Sequence, residues 1–119
     1  SVAMGLPEAP LVSRPAPEAA PTLSVVRGPR RGTVLPLVLA ETLVGRLDSN
    51  HLAIDDASVS RIHARFIRDA NVTSVEDVAS RAGTFVNGRP VVARTALADG
   101  DEITVGDIVF VFSDVAPSA

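Results

Sequence analysis

The sequence predicts an all-β fold, an antiparallel β-sandwich of about ten short strands. From Thr22 onward, short runs of Val, Ile, Leu, Thr and Phe are separated by turn residues at intervals of about 8 to 12 residues. Apolar and polar residues alternate in several runs, as expected where one strand face is packed and the other is wet. No segment has the apolar spacing of an amphipathic helix.

The first half of this region contains five candidate strands. A Gly-Pro pair at 28 and 29 supplies the reversal between the first two. Alternation is clearest in the fifth, where residues 64–68 read ARFIR. The five candidates are 22–26, 33–39, 42–46, 53–54 and 63–68.

The second half contains five more candidate strands. Asn87-Gly88 is the strongest hairpin signal in the chain. An Asp-Gly pair at 99 and a Gly-Asp pair at 106 supply further tight reversals. Two antiparallel sheets packed face to face accommodate this many short strands. The candidates are 73–77, 84–86, 91–92, 101–105 and 108–112.

The ends of the chain differ from this pattern. Residues 1–21 hold five of the nine Pro and show no periodic apolar pattern. Because Pro fixes φ and donates no backbone hydrogen bond, we expect an extended, disordered linker or an expression remnant. The predicted folded domain is 22–114, and 115–119 is a tail. We expect the parent protein to have other domains.

Composition excludes several classes of function. The chain has 11 basic residues, all Arg, against 14 acidic ones, a net charge of −3 that disfavours nucleic-acid binding. Zero Cys excludes disulfides and thiolate chemistry. Because no apolar run approaches the roughly 18 residues that span a bilayer, we expect a cytoplasmic protein with no membrane insertion.

Three predicted loops are rich in groups that bind anions. They are Gly45-Arg46, the segment 58–63 (SVSRIH) and the segment 80–84 (SRAGT). In a β-sandwich the strands form the core, so function is expected on loops such as these.

These loops and their surroundings resemble the forkhead-associated (FHA) domain family. The matching motifs, in order and spacing, are Gly45-Arg46, SRIHA (60–64), GTFVNG (83–88) and LADGDEITVG (97–106). The resemblance runs from about residue 23 to 112. It implies a β-sandwich of roughly eleven strands whose apical loops bind phosphothreonine in an extended peptide, without a cofactor and without chemistry on the peptide.

The resemblance assigns the phosphate to Arg46, Ser60 and Arg61. A phosphothreonine carries about −1.5 to −2 charges and three acceptor oxygens, so its site needs a guanidinium and neutral donors. Arg46 resembles the family's phosphate-binding arginine. Ser60 resembles the serine that donates through its hydroxyl and its backbone N–H, and spacing to His63 favours it over Ser58. The alternatives are an exposed strand-end Arg46, a Ser60 that caps its own turn and a solvated Arg61.

Other family positions imply support of the site. Thr84 is the last of the predicted binding residues, and the resemblance implies that it orders the binding loop through hydrogen bonds. Gly83 and Gly45 are implied to occupy positions where the backbone requires glycine. His63 is implied to brace the loops. A hydrolase triad of Ser60, His63 and a neighbouring Asp is rejected, because no strand-to-helix elbow exposes the serine.

One position departs from the family pattern. Many members have Asn immediately before Gly83, where its amide holds the peptide backbone, but this chain has Ala82. Affinity should therefore fall about fivefold or the side-chain preference should change. Arg81 either compensates by reaching the phosphate or an acidic peptide residue, or is solvated.

The remaining polar motifs are predicted to be turns. Asn87-Gly88 receives no ligand contact, and the acidic turn at 99–101 is placed with Gly106 at the sandwich end far from the peptide. His51 has no partner at ligand spacing and the acidic turns lack the graded oxygen ligands of a calcium loop, so no metal site is predicted.

The sequence therefore predicts a phosphothreonine-recognition module rather than an enzyme. Its partner would be a phosphothreonine-containing protein, such as a Ser/Thr kinase or its substrate. The alternative is a domain of the same fold that binds its partner without phosphate, which Ala82 motivates.

Overall fold

The structure is a computed structural model that describes residues 20–114. The predicted linker, apart from its last two residues, and the predicted tail lie outside the described residues. Within residues 20–114 eleven strands are present, and the all-β prediction is confirmed. In chain order they are β1 (Thr22–Arg27), β2 (Val34–Pro36), β3 (Glu41–Gly45), β4 (Leu52–Ala53), β5 (Ala64–Asp69), β6 (Val72–Asp77), β7 (Thr84–Val86), β8 (Arg89–Pro90), β9 (Thr95–Ala96), β10 (Glu102–Val105) and β11 (Ile108–Ser113).

The strands form two sheets. The six-stranded sheet has the order β2-β1-β11-β10-β7-β8, and the five-stranded sheet has the order β9-β6-β5-β3-β4. The expectation of purely antiparallel sheets is wrong at one edge, where β4 runs parallel to β3 with Val44 opposite Leu52. After β3 the chain turns back and then runs along the edge of β3 in the same direction as β3. The backbone N–H of Leu43 in β3 donates to Nδ1 of His51, directly before β4 (2.9 Å), and this bond supports the connection.

The core lies between the sheets and is built by the predicted alternation. In β5, Ala64 and Phe66 are buried while Arg65 is half-buried. Phe110 and Phe112 of β11 are completely buried in the facing sheet. Each such side chain contributes roughly 1.5 to 3 kcal/mol through removal from water.

The prediction of a strand at 91–92 is wrong. The Asn-Gly hairpin is confirmed, but its second strand is the residue pair directly after the turn, with Arg89 opposite Val86. Beyond this strand, the backbone N–H of Val91 donates one further hydrogen bond to the carbonyl of Thr84 (2.8 Å), and Val92 is 91% exposed. Strand β9, which pairs with β6, was not predicted.

The loops that follow β3 and β6 and precede β5 and β7 meet at one end of the sandwich. The pairings Val44 with Ala64, Ala64 with Asp77, and Val105 with Thr84 place them there. Because β10 ends at Val105, the turn at Gly106 lies at this same end, and its predicted location at the far end is wrong.

Candidate functional site

A concavity of about 740 Å³ lies among the loops at this end. Its rim includes the loop after β3, the loop before β5 and the loop between β6 and β7. Arg46, Arg61, Arg81, Ser58 and Ser60 all line it, and none of its lining residues is Asp or Glu. The site is therefore electropositive on a chain whose net charge is −3.

Gly45 allows the loops to approach closely at the base of the concavity. A Cβ at this position would lie 2.3 Å from the carbonyl oxygen of Arg61 and 2.8 Å from the Cα of Ile62. Only a residue without a side chain fits between β3 and the 60–62 segment. The backbone N–H of the next residue, Arg46, then donates to the carbonyl of Ser60 (2.9 Å).

The Arg46 side chain is held by one hydrogen bond. Its Nε donates to the carbonyl of Val59 (3.1 Å). Among residues 20–114, no protein group accepts a hydrogen bond from its two Nη atoms, and no carboxylate lies within salt-bridge distance. The donor pair that suits a phosphate is thus oriented by Nε and left available.

The buried side chain of His63 connects the loop before β5 to the loop between β6 and β7. It is completely buried, its Nδ1 accepts the backbone N–H of Ser60 (3.0 Å) and its Nε2 donates to the carbonyl of Gly83 (2.8 Å). These partners require the neutral tautomer with hydrogen on Nε2. His63 therefore contacts the backbone of Ser60 and not its hydroxyl, and no Ser-His relay exists at this position.

The same bond corrects one expectation for Ser60. Its backbone N–H is occupied by His63 and is not available to a phosphate. Its hydroxyl accepts the backbone N–H of Arg81 (3.0 Å) and retains its own hydrogen for donation. The hydroxyl of Ser58, in contrast, donates to Asp56 and accepts the N–H of Asp107 (2.8 Å), which favours Ser60 as the donor.

The carboxylate of Asp77 anchors the loop between β6 and β7. It accepts the backbone N–H of Ser80 (3.0 Å), the hydroxyl of Ser80 and the hydroxyl of Thr84 (2.7 Å). Burial by itself would raise the pKa of Asp77, but the hydrogen bonds from Ser80 and Thr84 outweigh it and hold the pKa below its ordinary value. Sequence reasoning missed this residue, although Asp is a residue type whose carboxylate commonly bonds nearby backbone N–H groups in turns.

Asn50 is a second support that sequence reasoning missed. Its Nδ2 donates to the carbonyls of Leu47 (2.9 Å) and Arg61 (2.8 Å), so it ties the loop after β3 to the loop before β5. No spacing in the sequence pointed to it, because its partners are backbone atoms brought close by the fold.

The family model described as FHA domain matches residues 42–106. The chain belongs to the FHA family. A curated relative, the glycogen accumulation regulator GarA of Mycobacterium tuberculosis, is 41% identical over 96 residues, which are 81% of this chain and 59% of GarA. The chain thus spans about three fifths of the length of that relative.

Several solved structures share the fold, including the following two. Mycobacterium tuberculosis EmbR in complex with a low affinity phosphopeptide has a TM-score of 0.77 and 31% identity, covering 85% of this chain and 26% of that one. A structure from a study of phosphothreonine-dependent FHA domain interactions has a TM-score of 0.72 and 31% identity, covering 79% of this chain and 95% of that one.

The predicted site residues of the FHA domain fall into two groups: those that line the concavity and those that are buried or half-buried next to it. Arg46, Ser60, Arg61 and Arg81 line the concavity. Gly45, His63 and Thr84 are buried, Thr84 being 1% exposed and bonded to Asp77, and Gly83 is half-buried. Thr84 therefore orders the loop and offers no surface to a peptide.

Two features are absent from residues 20–114 of the FHA domain. No group of three His, Cys, Asp or Glu side chains in this range is placed to hold a metal ion. No helix there is long and apolar enough to cross a membrane.

Proposed function

We propose that this FHA domain binds a phosphothreonine in an extended segment of a partner protein, and so links its parent protein to partners marked by a Ser/Thr kinase. One observation carries the proposal. Arg46 and Ser60 line the same concavity, and that concavity has no acidic lining residue.

These groups match a phosphate dianion. Arg46 offers two Nη atoms, which suit two oxygens of one phosphate. Ser60 offers its hydroxyl hydrogen to the third oxygen. The His63 and Asp77 bonds fix both loops before the ligand arrives, which reduces the ordering cost of binding.

A titration with matched peptides tests the proposal. A phosphothreonine peptide selected from a degenerate library and its unphosphorylated twin are titrated into the domain by calorimetry. We expect only the phosphorylated peptide to bind, and Arg46→Ala to lower its affinity at least tenfold, because a charged hydrogen-bonded contact is worth about 1.5 to 3 kcal/mol.

Arg89→Ala is the matched control. Arg89 is an exposed arginine beside the hairpin at the opposite end of the sandwich, so its loss changes the net charge equally without touching the concavity. Equal binding of the two peptides, or an equal loss in the two variants, would reject phosphate recognition.

A second candidate function is partner binding without phosphate. Ala82 favours it, because this position gives no side-chain hydrogen bond to a peptide backbone. Equal affinity for the phosphorylated and unphosphorylated peptides would support this candidate.

The relatives support a regulatory role for the parent protein. GarA is named as a regulator of glycogen accumulation. We infer that this chain acts by binding and not by catalysis, and that its parent protein has sequence beyond the FHA domain.

A further inference from the structure

The hydrogen bond that orients Arg46 depends on a single peptide unit. Nε of Arg46 donates to the carbonyl of Val59 (3.1 Å). The N–H of the same peptide unit, which belongs to Ser60, donates to Nδ1 of the buried His63 (3.0 Å). Because the peptide unit is planar, a rotation that moves its N–H also moves the carbonyl that Arg46 bonds. The direction of the guanidinium therefore follows the orientation of this peptide unit.

Ser58 fixes the chain directly before Val59. Its backbone N–H donates to a carboxylate oxygen of Asp56 (3.0 Å), and its hydroxyl donates to the same oxygen. The N–H of Val59 donates to the carbonyl of Asp56 (3.0 Å), which closes a tight turn. The bonds from the hydroxyl and the backbone N–H of Ser58 hold the pKa of the Asp56 carboxyl below its ordinary value, so the accepting group is ionised at neutral pH.

The Ser58 hydroxyl also connects this turn to the other sheet. Its oxygen accepts the N–H of Asp107 (2.8 Å), which lies in the turn between β10 and β11 of the six-stranded sheet. A Cβ at Gly106 would lie 2.6 Å from the same oxygen and 2.8 Å from the carbonyl carbon of Ser58. Glycine is therefore required where the β10–β11 turn meets the loop before β5.

Ser58 and Ser60 both line the concavity, but their hydroxyls are used differently. The Ser58 hydroxyl donates to Asp56 and accepts from Asp107, so it cannot donate to a ligand without breaking a bond within the protein. The Ser60 hydroxyl accepts from the backbone and keeps its hydrogen. The bonds of Ser58 thus act on the backbone that leads to the Val59 carbonyl.

We propose that Ser58 is a positioning residue for phosphate binding, because it ties the 56–59 turn to the β10–β11 turn and so holds the Val59 carbonyl where it orients Arg46. This inference rests on the proposed function. Arg46 and Ser60 lie in loops between strands of the five-stranded sheet, and Ser58 adds a contribution from the facing sheet. An arginine that is oriented in advance loses less side-chain freedom on binding, which raises affinity.

Calorimetric titration of Ser58→Ala with the phosphothreonine peptide tests the inference. Without the hydroxyl, Arg46 is no longer oriented before binding. We therefore expect affinity to fall about two- to tenfold, the ordering cost of one long side chain. Ser113→Ala is the matched control, because Ser113 lies at the end of β11 away from the concavity, and we expect it to leave affinity unchanged. Urea unfolding of both variants checks that the fold is retained.

A second background shows whether the loss acts through Arg46. Arg46→Lys keeps the positive charge but has no Nε–H, so the Val59 carbonyl cannot orient it in the same way. In the Arg46→Lys protein we expect Ser58→Ala to change affinity by less than about twofold. An equal loss in both backgrounds would show that Ser58 supports the loop in general, and it would overturn the inference.

The orientation of Arg46 can also be measured in the free domain. The Nε–H of Arg46 exchanges its hydrogen with water more slowly while it is bonded to the Val59 carbonyl, and NMR spectroscopy measures the exchange rate. We expect Ser58→Ala to accelerate this exchange and Ser113→Ala to leave it unchanged. This readout does not require a ligand.

The outcomes separate this inference from the proposed function. If only the phosphorylated peptide binds, but Ser58→Ala binds it as tightly as the wild type does, the inference is wrong and phosphate recognition stands. If the phosphorylated and unphosphorylated peptides bind equally, the proposed function fails and a role of Ser58 in phosphate binding fails with it. An Nε–H exchange rate of Arg46 that Ser58→Ala leaves unchanged overturns the inference in either case.

Discussion

Position 82 determines which polar contacts the concavity offers to a peptide backbone. Ala82 is exposed on the rim, between Arg81 and Gly83. The resemblance to the FHA family places an Asn amide at this position in many members. In this chain the loop between β6 and β7 is present and anchored by Asp77, but Ala82 has no amide to bond a peptide backbone.

Restoring the amide should strengthen binding. We expect Ala82→Asn to raise affinity for a phosphothreonine peptide with neutral flanks about fivefold, the value of one hydrogen bond worth about 1 kcal/mol. Calorimetric titration of both proteins with the same peptide measures the change. Ala79→Asn, on the same rim, serves as the control, and an equal gain there would show that any added amide suffices.

The loop between β6 and β7 acts as a unit because one carboxylate, at the start of the loop, bonds both its middle and its end. Asp77 binds Ser80 near its middle and Thr84 at its end. The hydroxyl of Ser80 in turn accepts the N–H of Gly83 (2.9 Å). The carbonyl of Gly83 in this loop accepts a hydrogen bond from Nε2 of His63, and Nδ1 of His63 accepts one from the backbone N–H of Ser60. The position of this loop therefore affects the position of Ser60.

Asp77→Asn should destabilise this loop in a pH-dependent manner. An amide cannot accept on both atoms, so we expect a loss of about 1 to 3 kcal/mol in the free energy of unfolding at neutral pH. The pKa of Asp77 is lowered in the folded state, so its stabilising contribution is complete above the unfolded pKa and is lost as pH falls through the folded one.

Urea unfolding of both proteins between about pH 7 and about pH 3 measures this dependence. The difference between wild type and variant should narrow at the acid end. A difference that stays constant over the whole range would show that the Asp77 charge has no part in it.

Strands were predicted well where their signal is local. Thr84–Val86 has the predicted bounds, and β10 and β11 each differ by one residue at one end. Thr95–Ala96 was missed because a two-residue strand carries no periodicity, and it exists through its pairing with Val75 and Ser74. A strand of that length is decided by its neighbour.

The whole molecule has an uneven charge distribution that its net charge conceals. The total is −3, yet the concavity has three arginines and no acidic lining residue. Composition therefore argues against a broad basic face, and only the motifs predict a local anion site.

Ligand binding should stabilise the whole fold, because a ligand that binds only the folded state raises the free energy of unfolding. At a free phosphopeptide concentration of about 100 Kd, we expect the free energy of unfolding to rise by about 2.7 kcal/mol. For a domain of this size the melting temperature should increase by roughly 10 °C or more. Scanning calorimetry measures the shift, and an equal shift with the unphosphorylated peptide would contradict phosphate-specific binding.

The sequence alone determined the strand pattern and most of the turns, and it predicted Arg46, Ser60 and His63 as site residues. Periodicity and turn chemistry are encoded within a few neighbouring residues, and the family motifs are short.

The tertiary structure decided what depends on distant parts of the chain. A Cβ at Gly106 would lie 2.4 Å from the carbonyl oxygen of Ser58, and the next N–H, of Asp107, donates to the Ser58 hydroxyl. The partners are 49 residues apart, so no local pattern could place this turn at the site. The parallel β3–β4 pair and the bond from Nε2 of His63 to the carbonyl of Gly83, 20 residues away, likewise depend on segments that only the fold brings together.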